Sequence, residues 1–169
     1  MSRSIKTLQD SLAYILQGLL YCETQISNGY KSSRNHITSL DVRAVLEAYM
    51  ENTENARLML DQVFDHLLVE PVARKNNVVN KLVEETQELL TCTFTPNLRN
   101  ILMIGCLKNI SAYKIANYQT AYFLSAELEL EAATDLLYQL LDAEQEATKG
   151  LDELSIKEFN KIHNQIHLN

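Results

Sequence analysis

Apolar residues recur three or four positions apart along almost the whole chain of 169 residues. In the first part, this spacing predicts a helix from about Ser4 to Asn28. A polar loop follows, and a second apolar stripe begins behind Ser39, which is a good N-cap residue. This stripe predicts a second long helix that Pro71 ends. Each stripe lies on one helix face, so both helices should pack against a common core.

Further helical segments follow the proline. A shorter amphipathic stretch from Asn77 to about Leu90 predicts a crossover element. Thr95 followed by Pro96 is a strong start signal, because proline suits the first helical position, and it predicts an unbroken third long helix to about Leu128. Apolar spacing predicts a fourth long helix from near Leu130 to near Leu154. The capping-box spacing of Ser155 and Glu158 then predicts a short last helix to about His167.

Four long helices with one long connection between the second and the third have the connectivity of ferritin-like bundles. The predicted fold class is therefore all-α: a ferritin-like four-helix bundle with a short crossover helix and a short C-terminal helix. We expect a single domain over residues 1–169. The chain has only 4 Gly and 2 Pro, too few turn residues for an all-β protein. Gly105, in the middle of the third long helix, is expected to mark the close approach of another helix.

Charge and composition exclude several classes of function. The formal net charge of −7 disfavours nucleic acid as a partner, since phosphate binding needs clustered Lys and Arg. No apolar stretch approaches the roughly 20 residues that span a bilayer, and we expect no signal peptide, no membrane partner and a cytoplasmic location. Three widely spaced cysteines, Cys22, Cys92 and Cys106, fit neither a disulfide framework nor a zinc site, so we expect free thiols that are mostly buried.

Ferritin-like bundles hold two metal ions with inward carboxylates and histidines from all four long helices. Glu23 on the first helix and Glu144 on the fourth lie on the apolar stripes and qualify as such ligands. The central inward positions of the second helix are instead Tyr49, Asn52 and Thr53. The matching row of the third helix contains Ser111, Lys114 and Tyr118, with no carboxylate. Two buried carboxylates need compensation, and Lys114 is the available cation.

Five segments of the chain carry a family resemblance: YCETQI, YMENTENARLMLDQVF, VVNKLVEETQELL, AYKIANYQTA and DAEQEATKGLDEL. In this order and spacing they resemble the successive motifs of the YciF-type ferritin-like family, bacterial proteins associated with stress responses and largely without assigned biochemistry. The resemblance covers about Leu8 to Phe159. It implies the same bundle fold.

The resemblance also implies which residues stand at the family's metal-ligand positions. Glu23 and Glu144 match family glutamates, and Gln25 matches a family glutamine. Other positions depart from the family pattern: Tyr49 and Asn52 replace a His and a Glu, Ser111 to Lys114 replace a Glu-His-Tyr-Glu run, and Thr148 replaces an Asp. We infer that the bundle is kept while the metal site is degenerate, with no metal ligands and no cofactor.

In this hypothesis Lys114 is the internal counter-charge to Glu23 and Glu144, because its ammonium group would repel a divalent ion. A neutral hydrogen-bonding shell should complete the polar core, as a buried polar centre requires. Its expected members are Tyr49, Asn52, Ser111, Tyr113 and Thr148.

Simpler interpretations remain open for these residues. The third helix could be rotated so that Lys114 reaches solvent, and Glu23 and Glu144 could lie at half-exposed helix edges. A reduced site at the two glutamates could still bind iron or manganese. His163 and His167 lie four residues apart, but a pair without a third ligand is a weak metal site. A ligand-binding cavity between the helices is a further alternative, which sequence cannot measure.

The leading functional hypothesis is a non-enzymatic bundle that works in stress response through protein contacts. It is expected to form a homodimer through the first two helices, where Tyr14, Tyr21 and Tyr30 could supply aromatic anchors. The alternative is a metal-binding redox or peroxide-handling enzyme with iron or manganese at Glu23 and Glu144. No catalytic motif selects the enzyme, so the hypothesis leans against catalysis.

Overall fold

The computed structural model describes residues 5–166, which form five α-helices and one short 3-10 turn. The bounds are Leu8–Ser33 for α1, Leu40–Leu67 for α2, Asn77–Cys92 for α3, Pro96–Glu127 for α4 and Glu131–Ile166 for α5, with the 3-10 turn at Arg34–His36. The all-α prediction is confirmed. In the described range, no helix is long and apolar enough to cross a bilayer.

The first helix differs from its prediction at its C-terminal end. It begins behind Thr7, whose side chain accepts a hydrogen bond from the Asp10 N–H, while the Asp10 carboxylate accepts one from the Thr7 N–H. The predicted start at Ser4 lies outside the described residues. The predicted end at Asn28 is wrong, because the chain stays helical to Ser33. Ser33 is buried and donates to the Gly29 carbonyl, so the inner face of α1 continues through the expected loop.

The crossover between α2 and α4 begins earlier than Pro71 suggested. Leu68 takes a left-handed backbone conformation with φ 54°, and its N–H bonds to the last turn of α2. The helix α3 then starts behind Asn76, whose side chain accepts hydrogen bonds from the Val78 and Val79 N–H groups. The start of α4 at Pro96 is as predicted.

The fourth long helix is longer than predicted. The predicted break near Leu154 and the separate short C-terminal helix are wrong, because α5 runs without interruption from Glu131 to Ile166. Leu151, Leu154 and Glu158 extend one buried face through this region. The Glu158 carboxylate accepts a hydrogen bond from the hydroxyl of Ser39, at the start of α2, instead of capping a new helix. Tertiary packing therefore replaces the capping interaction.

Hydrogen bonds and ion pairs between helices define their directions. Arg34 pairs with Glu47, and Ser27 bonds to Glu54, so α1 and α2 are antiparallel. Thr38 bonds to Asn100, and Tyr49 bonds to Ser111. Both pairs are 62 residues apart in sequence, and a constant separation means that α2 and α4 run parallel. The antiparallel α5 completes the bundle. Parallel α2 and α4 require a connection as long as the bundle, which is the ferritin-like connectivity predicted.

The apolar core consists of two clusters at different heights of the bundle. One cluster contains Leu12, Leu16, Leu60, Phe64, Ala121 and Leu137, and the other contains Ile26, Leu46, Ile104, Leu107 and Leu151. Lys114 on α4 and Glu144 on α5 lie between the two clusters, and Glu23 on α1 lies where they meet. These three side chains are buried too, so a polar layer separates two apolar halves.

The expectation that Gly105 marks a close helix contact is wrong. Gly105 is exposed, and a Cβ atom added there would meet nothing within 4 Å. The close approach of helices is at Gly29 instead, where an added Cβ would lie 3.2 Å from Val83 Cγ1 on α3.

Replacing Gly105 with alanine should therefore raise the free energy of unfolding by about 0.5–1 kcal/mol, since alanine loses less backbone entropy in a helix interior. Urea denaturation measures this change. The matched Gly29→Ala variant should gain less or lose stability, because Val83 must give way. Equal gains in the two variants would contradict the packing described for α1 and α3.

Candidate functional site: a buried ion cluster

Lys114 lies at the middle of the bundle between two glutamates. Its Nζ atom is 3.0 Å from Glu23 Oε1 on α1 and 2.5 Å from Glu144 Oε2 on α5. The three side chains are 1%, 0% and 5% exposed. Solvent therefore compensates little of these charges, and each glutamate depends on Lys114 for a positive partner.

Tyrosine hydroxyls also donate hydrogen bonds to the two carboxylates. Tyr118 donates to Glu23 Oε1 at 2.6 Å, and Tyr49 donates to Glu144 Oε1 at 2.9 Å. The Tyr49 hydroxyl also lies 3.0 Å from Ser111 Oγ, and the Lys114 ammonium is 5.0 Å from the centre of the Tyr49 ring. All four long helices thus contribute a side chain to one connected network, which we call the ion cluster.

The local order of α4 explains how one helix supplies three members of the ion cluster. Lys114 lies three residues after Ser111 and four residues before Tyr118, so the three side chains lie along one helix face. That face is continued by Ile104 and Leu107 on one side and Ala121 on the other, and all of these residues are buried. Apolar packing above and below therefore fixes the rotation of α4 that points Lys114 inward.

Burial and charge together determine the protonation of the ion cluster. Burial acts to lower the pKa of Lys114, but Glu23 and its other neighbours outweigh it and hold that pKa well above its usual value. Burial raises the pKa of Glu23, which Lys114 partly opposes. Burial likewise raises the pKa of Tyr49, Tyr118 and the adjacent Cys22 thiol. At neutral pH the amine is charged, and the phenols and the thiol are neutral.

Two buried oxygen atoms near this layer have no hydrogen-bond partner among the described residues. They are Glu23 Oε2 and Thr53 Oγ1, and both side chains are fully buried. Unpaired buried oxygens are uncommon in folded proteins. Glu23 therefore uses only one of its two oxygens in the network, which is consistent with burial raising its pKa.

Five of the eight predicted members of the polar core come together: Glu23, Tyr49, Ser111, Lys114 and Glu144. The structure does not place the other three in the ion cluster, so their assignment is corrected.

A different physical reason keeps each of these three residues out of the ion cluster. Asn52 is exposed, because the next residue, Thr53, takes the buried position one turn after Tyr49. Tyr113 is one residue before Lys114 and so faces another direction, where its hydroxyl accepts a hydrogen bond from the Asn76 side chain. Thr148 donates its hydroxyl hydrogen bond to the Glu144 carbonyl, within its own helix.

Sequence reasoning missed Tyr118 as a member of the ion cluster. Its aromatic ring suggested packing, and it does contribute to the apolar core. However, a tyrosine four residues after a buried lysine can reach the lysine's own partner, and this spacing was the available signal. A buried tyrosine hydroxyl needs a hydrogen-bond partner, and Glu23 is the one it finds.

The residues present do not fit the two-metal centre of ferritin-like bundles. Within residues 5–166, no three or more His, Cys, Asp or Glu side chains are close enough together to hold a metal ion. At the centre of the bundle, an ammonium group lies at ion-pair distance from both carboxylates, where a metal ion would need negatively charged ligands. His163 is exposed, and His167 lies outside the described residues. Cys22 and Cys106 are buried free thiols, while Cys92 is exposed.

Comparison with known proteins shows which family the chain belongs to. The family described as "Domain of unknown function (DUF892)" matches residues 7–163, most of the chain. The chain belongs to this family. A curated relative, Protein YciF of Escherichia coli strain K12, is 24% identical over 159 residues, covering 94% of this chain and 96% of the relative.

Two solved structures resemble this DUF892 chain. The crystal structure of the E. coli stress protein YciF has a TM-score of 0.89 and 23% identity, covering 93% of this chain and 99% of that one. YcfI, a putative structural protein from Rhodopseudomonas palustris, has a TM-score of 0.86 and 25% identity, covering 90% and 97%. The resemblance to the YciF type that the sequence indicated is confirmed.

Replacing Lys114 with methionine should lower the free energy of unfolding by about 3–5 kcal/mol at neutral pH, because two buried carboxylates lose their cation. Urea denaturation measures the loss. The control is Lys149→Met, since Lys149 is exposed and pairs with Glu146 on the same helix, and this change should have little effect. A triple variant, Glu23→Gln, Lys114→Met and Glu144→Gln, should recover part of the stability. Unchanged stability in Lys114→Met would contradict the network.

The raised pKa of Glu23 predicts a pH dependence. A carboxyl group whose pKa is higher in the folded state stabilises the fold when protonated. This stabilisation is fully present below the pKa of Glu23 in the unfolded chain, near 4.5. It is lost as the pH rises through the higher pKa of Glu23 in the folded protein. The stability of the wild type relative to Glu23→Gln should therefore decrease from pH 4 to pH 8 in denaturation experiments. A relative stability that rises over this range would contradict the burial argument.

Proposed function

We propose that this DUF892 protein is a non-enzymatic helical bundle in which Lys114 substitutes for the divalent ions of a ferritin-like centre. The observation that carries the proposal is the position of Lys114 Nζ, within 3.0 Å of carboxylates from two different helices. An ammonium group there supplies the positive charge that the carboxylates need and repels a divalent cation. The bundle then holds its shape without a cofactor.

The chemistry of the ion cluster supports a role without catalysis. A nucleophile or general base at neutral pH needs a pKa matched to that task. Lys114 has a raised pKa and stays charged, while Tyr49, Tyr118 and Cys22 have raised pKa values and stay protonated. The amine, the two phenols and the thiol of the ion cluster are therefore not in the deprotonated form that a nucleophile or general base needs.

We propose further that the protein works in stress response through contacts with other proteins, in the cytoplasm. Two proteins of similar structure are named a stress protein and a putative structural protein, and neither name includes a reaction, which supports a scaffold role. A homodimer stays a prediction. Tyr14 is stacked beneath Arg74, and Tyr21 bonds to Asn80 of α3, so two of the expected anchors already contact the crossover. A dimer through α1 and α2 would use other residues of these helices.

One observation favours the alternative, a reduced iron or manganese site. Glu23 Oε2 is buried and has no hydrogen-bond partner among residues 5–166, and a carboxylate oxygen is a suitable ligand for either ion. In this alternative, Glu23 and Glu144 would bind one ion, and Lys114 would have to leave its present position. The two functions make opposite predictions about metal content.

Elemental analysis separates them. Protein purified without a His tag, loaded with iron or manganese and desalted should contain far less than one ion per chain. The Lys114→Glu variant is the comparison, because it adds a third carboxylate and should bind more of either metal. Stoichiometric metal in the wild-type protein would overturn the lysine-substitution proposal.

A further inference from the structure

The outer face of α4 carries no charge along almost the whole helix. From Leu98 to Ala126, its exposed residues are Leu98, Gly105, Asn109, Ala112, Ala116, Gln119, Thr120, Phe123 and Ala126. We call these residues the neutral face. The half-exposed Lys108 lies at the edge of this face and pairs with Asp152 of α5. Depletion of charged residues is typical of the centre of a protein interface.

The outer face of α2 differs from the neutral face in charge. Its exposed acidic residues are Glu47, Glu51, Glu54, Asp61 and Asp65. The whole chain has a formal net charge of −7, so two copies of it repel each other, most strongly where acidic faces meet. The neutral face adds no such local repulsion. A second copy of the chain therefore approaches it at a lower electrostatic cost than it approaches α2.

The two halves of the neutral face have complementary shapes. In the C-terminal half, the Phe123 side chain is exposed and its ring lies 5.5 Å from the ring of Tyr122, centre to centre. In the N-terminal half, Gly105 has no side chain, and an added Cβ would meet nothing within 4 Å. Gly105 and Phe123 are five helical turns apart, so they point in the same direction. One half thus presents an aromatic ring, and the other half has an open position for such a ring.

The charges at the two ends of α4 are also complementary. Arg99 lies near the start of the helix, and Glu127 is its last residue. Each side chain has the same sign as the partial charge at its own end of the helix, which is unfavourable within one helix. An antiparallel second copy of α4 would bring each charge to the helix end of opposite sign. Such a copy would also place Arg99 beside the Glu127 of its partner.

One two-fold axis satisfies both relations. The midpoint between Gly105 and Phe123 is at the level of Lys114, and the midpoint between Arg99 and Glu127 is at the level of Tyr113. An axis at this level, perpendicular to α4, would place Phe123 of each copy over Gly105 of the other. A two-fold interface must be self-complementary, because the same surface serves both copies. A contact with a different protein would not require this symmetry, so the observations favour a second copy.

The adjoining side of α5 extends the apolar surface at both ends. Tyr138 is exposed, and its ring packs on Tyr122 of α4. Ile156 and Phe159 are exposed too, and they follow Asp152 by four and seven residues. They therefore lie on the side of α5 from which Asp152 reaches Lys108 of α4. In the antiparallel arrangement, Tyr138 of one copy would approach Ile156 and Phe159 of the other.

The combined surface is large enough for a stable interface. The neutral face is roughly 42 Å long, and a surface two helices wide measures about 20 Å across. Their product of about 800 Å² is the area that each partner buries in an interface of standard size. We propose that two copies of this chain associate through their neutral faces, with the two α4 helices antiparallel. This interface is separate from the ion cluster and from the pairing through α1 and α2 expected from the sequence.

Sedimentation velocity of the full chain tests the association. At about 100 µM, the wild type should sediment as a dimer with twice the 19.3 kDa mass of one chain. Ala112→Arg places two arginines close to the two-fold axis and should weaken the dimer by at least about 100-fold. Because Ala112 is exposed, circular dichroism should show an unchanged fold.

The matched control is Leu58→Arg, on the opposite side of the bundle. Leu58 is exposed and lies four residues after Glu54, which bonds to Ser27, so it lies on the side of α2 that faces α1. This variant should stay dimeric. A monomeric wild type would overturn the proposal, as would a dimer that survives Ala112→Arg or one that Leu58→Arg dissociates.

The contact of Phe123 with Gly105 of the other copy is tested by exchanging their sizes. Gly105→Leu should stabilise the fold, because leucine is the better helix former, yet weaken the dimer about tenfold by occupying the place of the ring. Phe123→Ala should also weaken the dimer about tenfold. The double variant should lose much less than the product of the two effects, since alanine makes room for leucine. Independent effects of the two substitutions would refute the antiparallel arrangement.

Discussion

A lysine ammonium without solvent is tolerated in a protein core only when negative charge lies beside it, and Lys114 imposes this constraint on the whole bundle. Its two partners come from helices at opposite ends of the sequence, Glu23 on α1 and Glu144 on α5. The ion pairs hold only when three helices have one relative height and rotation. The tyrosines that bind the same carboxylates restrict the arrangement further, because Tyr49 brings in α2.

The ion cluster also explains why the apolar core is divided. Leucine-rich packing lies on both sides of the polar layer, and each apolar cluster is large enough to fix the helix rotations near it. Well-packed apolar residues often stabilise a core as much as buried ion pairs do. In this chain, the positive charge beside the two buried carboxylates comes from a lysine of the chain itself. This is the physical basis for proposing a scaffold that needs no cofactor.

The ion cluster in the middle of the bundle and the space beneath α3 differ in their chemistry. At the ion cluster, the lysine and both carboxylates already have partners, and the pKa shifts keep the amine charged and the phenols neutral. Beneath α3, a small apolar space is left incompletely filled. The crossover helix creates this space because it packs across α1 and α4 instead of joining the four long helices.

The sequence by itself determined the helices, the crossover connectivity, and the placement of Glu23, Lys114 and Glu144 on inward stripes, because these features follow from local periodicity and start signals. It did not determine finer choices. Helical spacing alone cannot tell whether Asn52 or Thr53 is the buried residue at a helix edge. Neighbouring side chains point about 100° apart around the helix axis, and the packing of the other helices decides which of the two is buried. Likewise, the capping pattern at Ser155 does not start a new helix, because Glu158 bonds to Ser39 at the start of α2 and α5 continues. Gly105 faces solvent instead of another helix. Only the tertiary structure joined Tyr118 to Glu23, because hydrogen bonds between residues far apart in sequence depend on how whole helices pack.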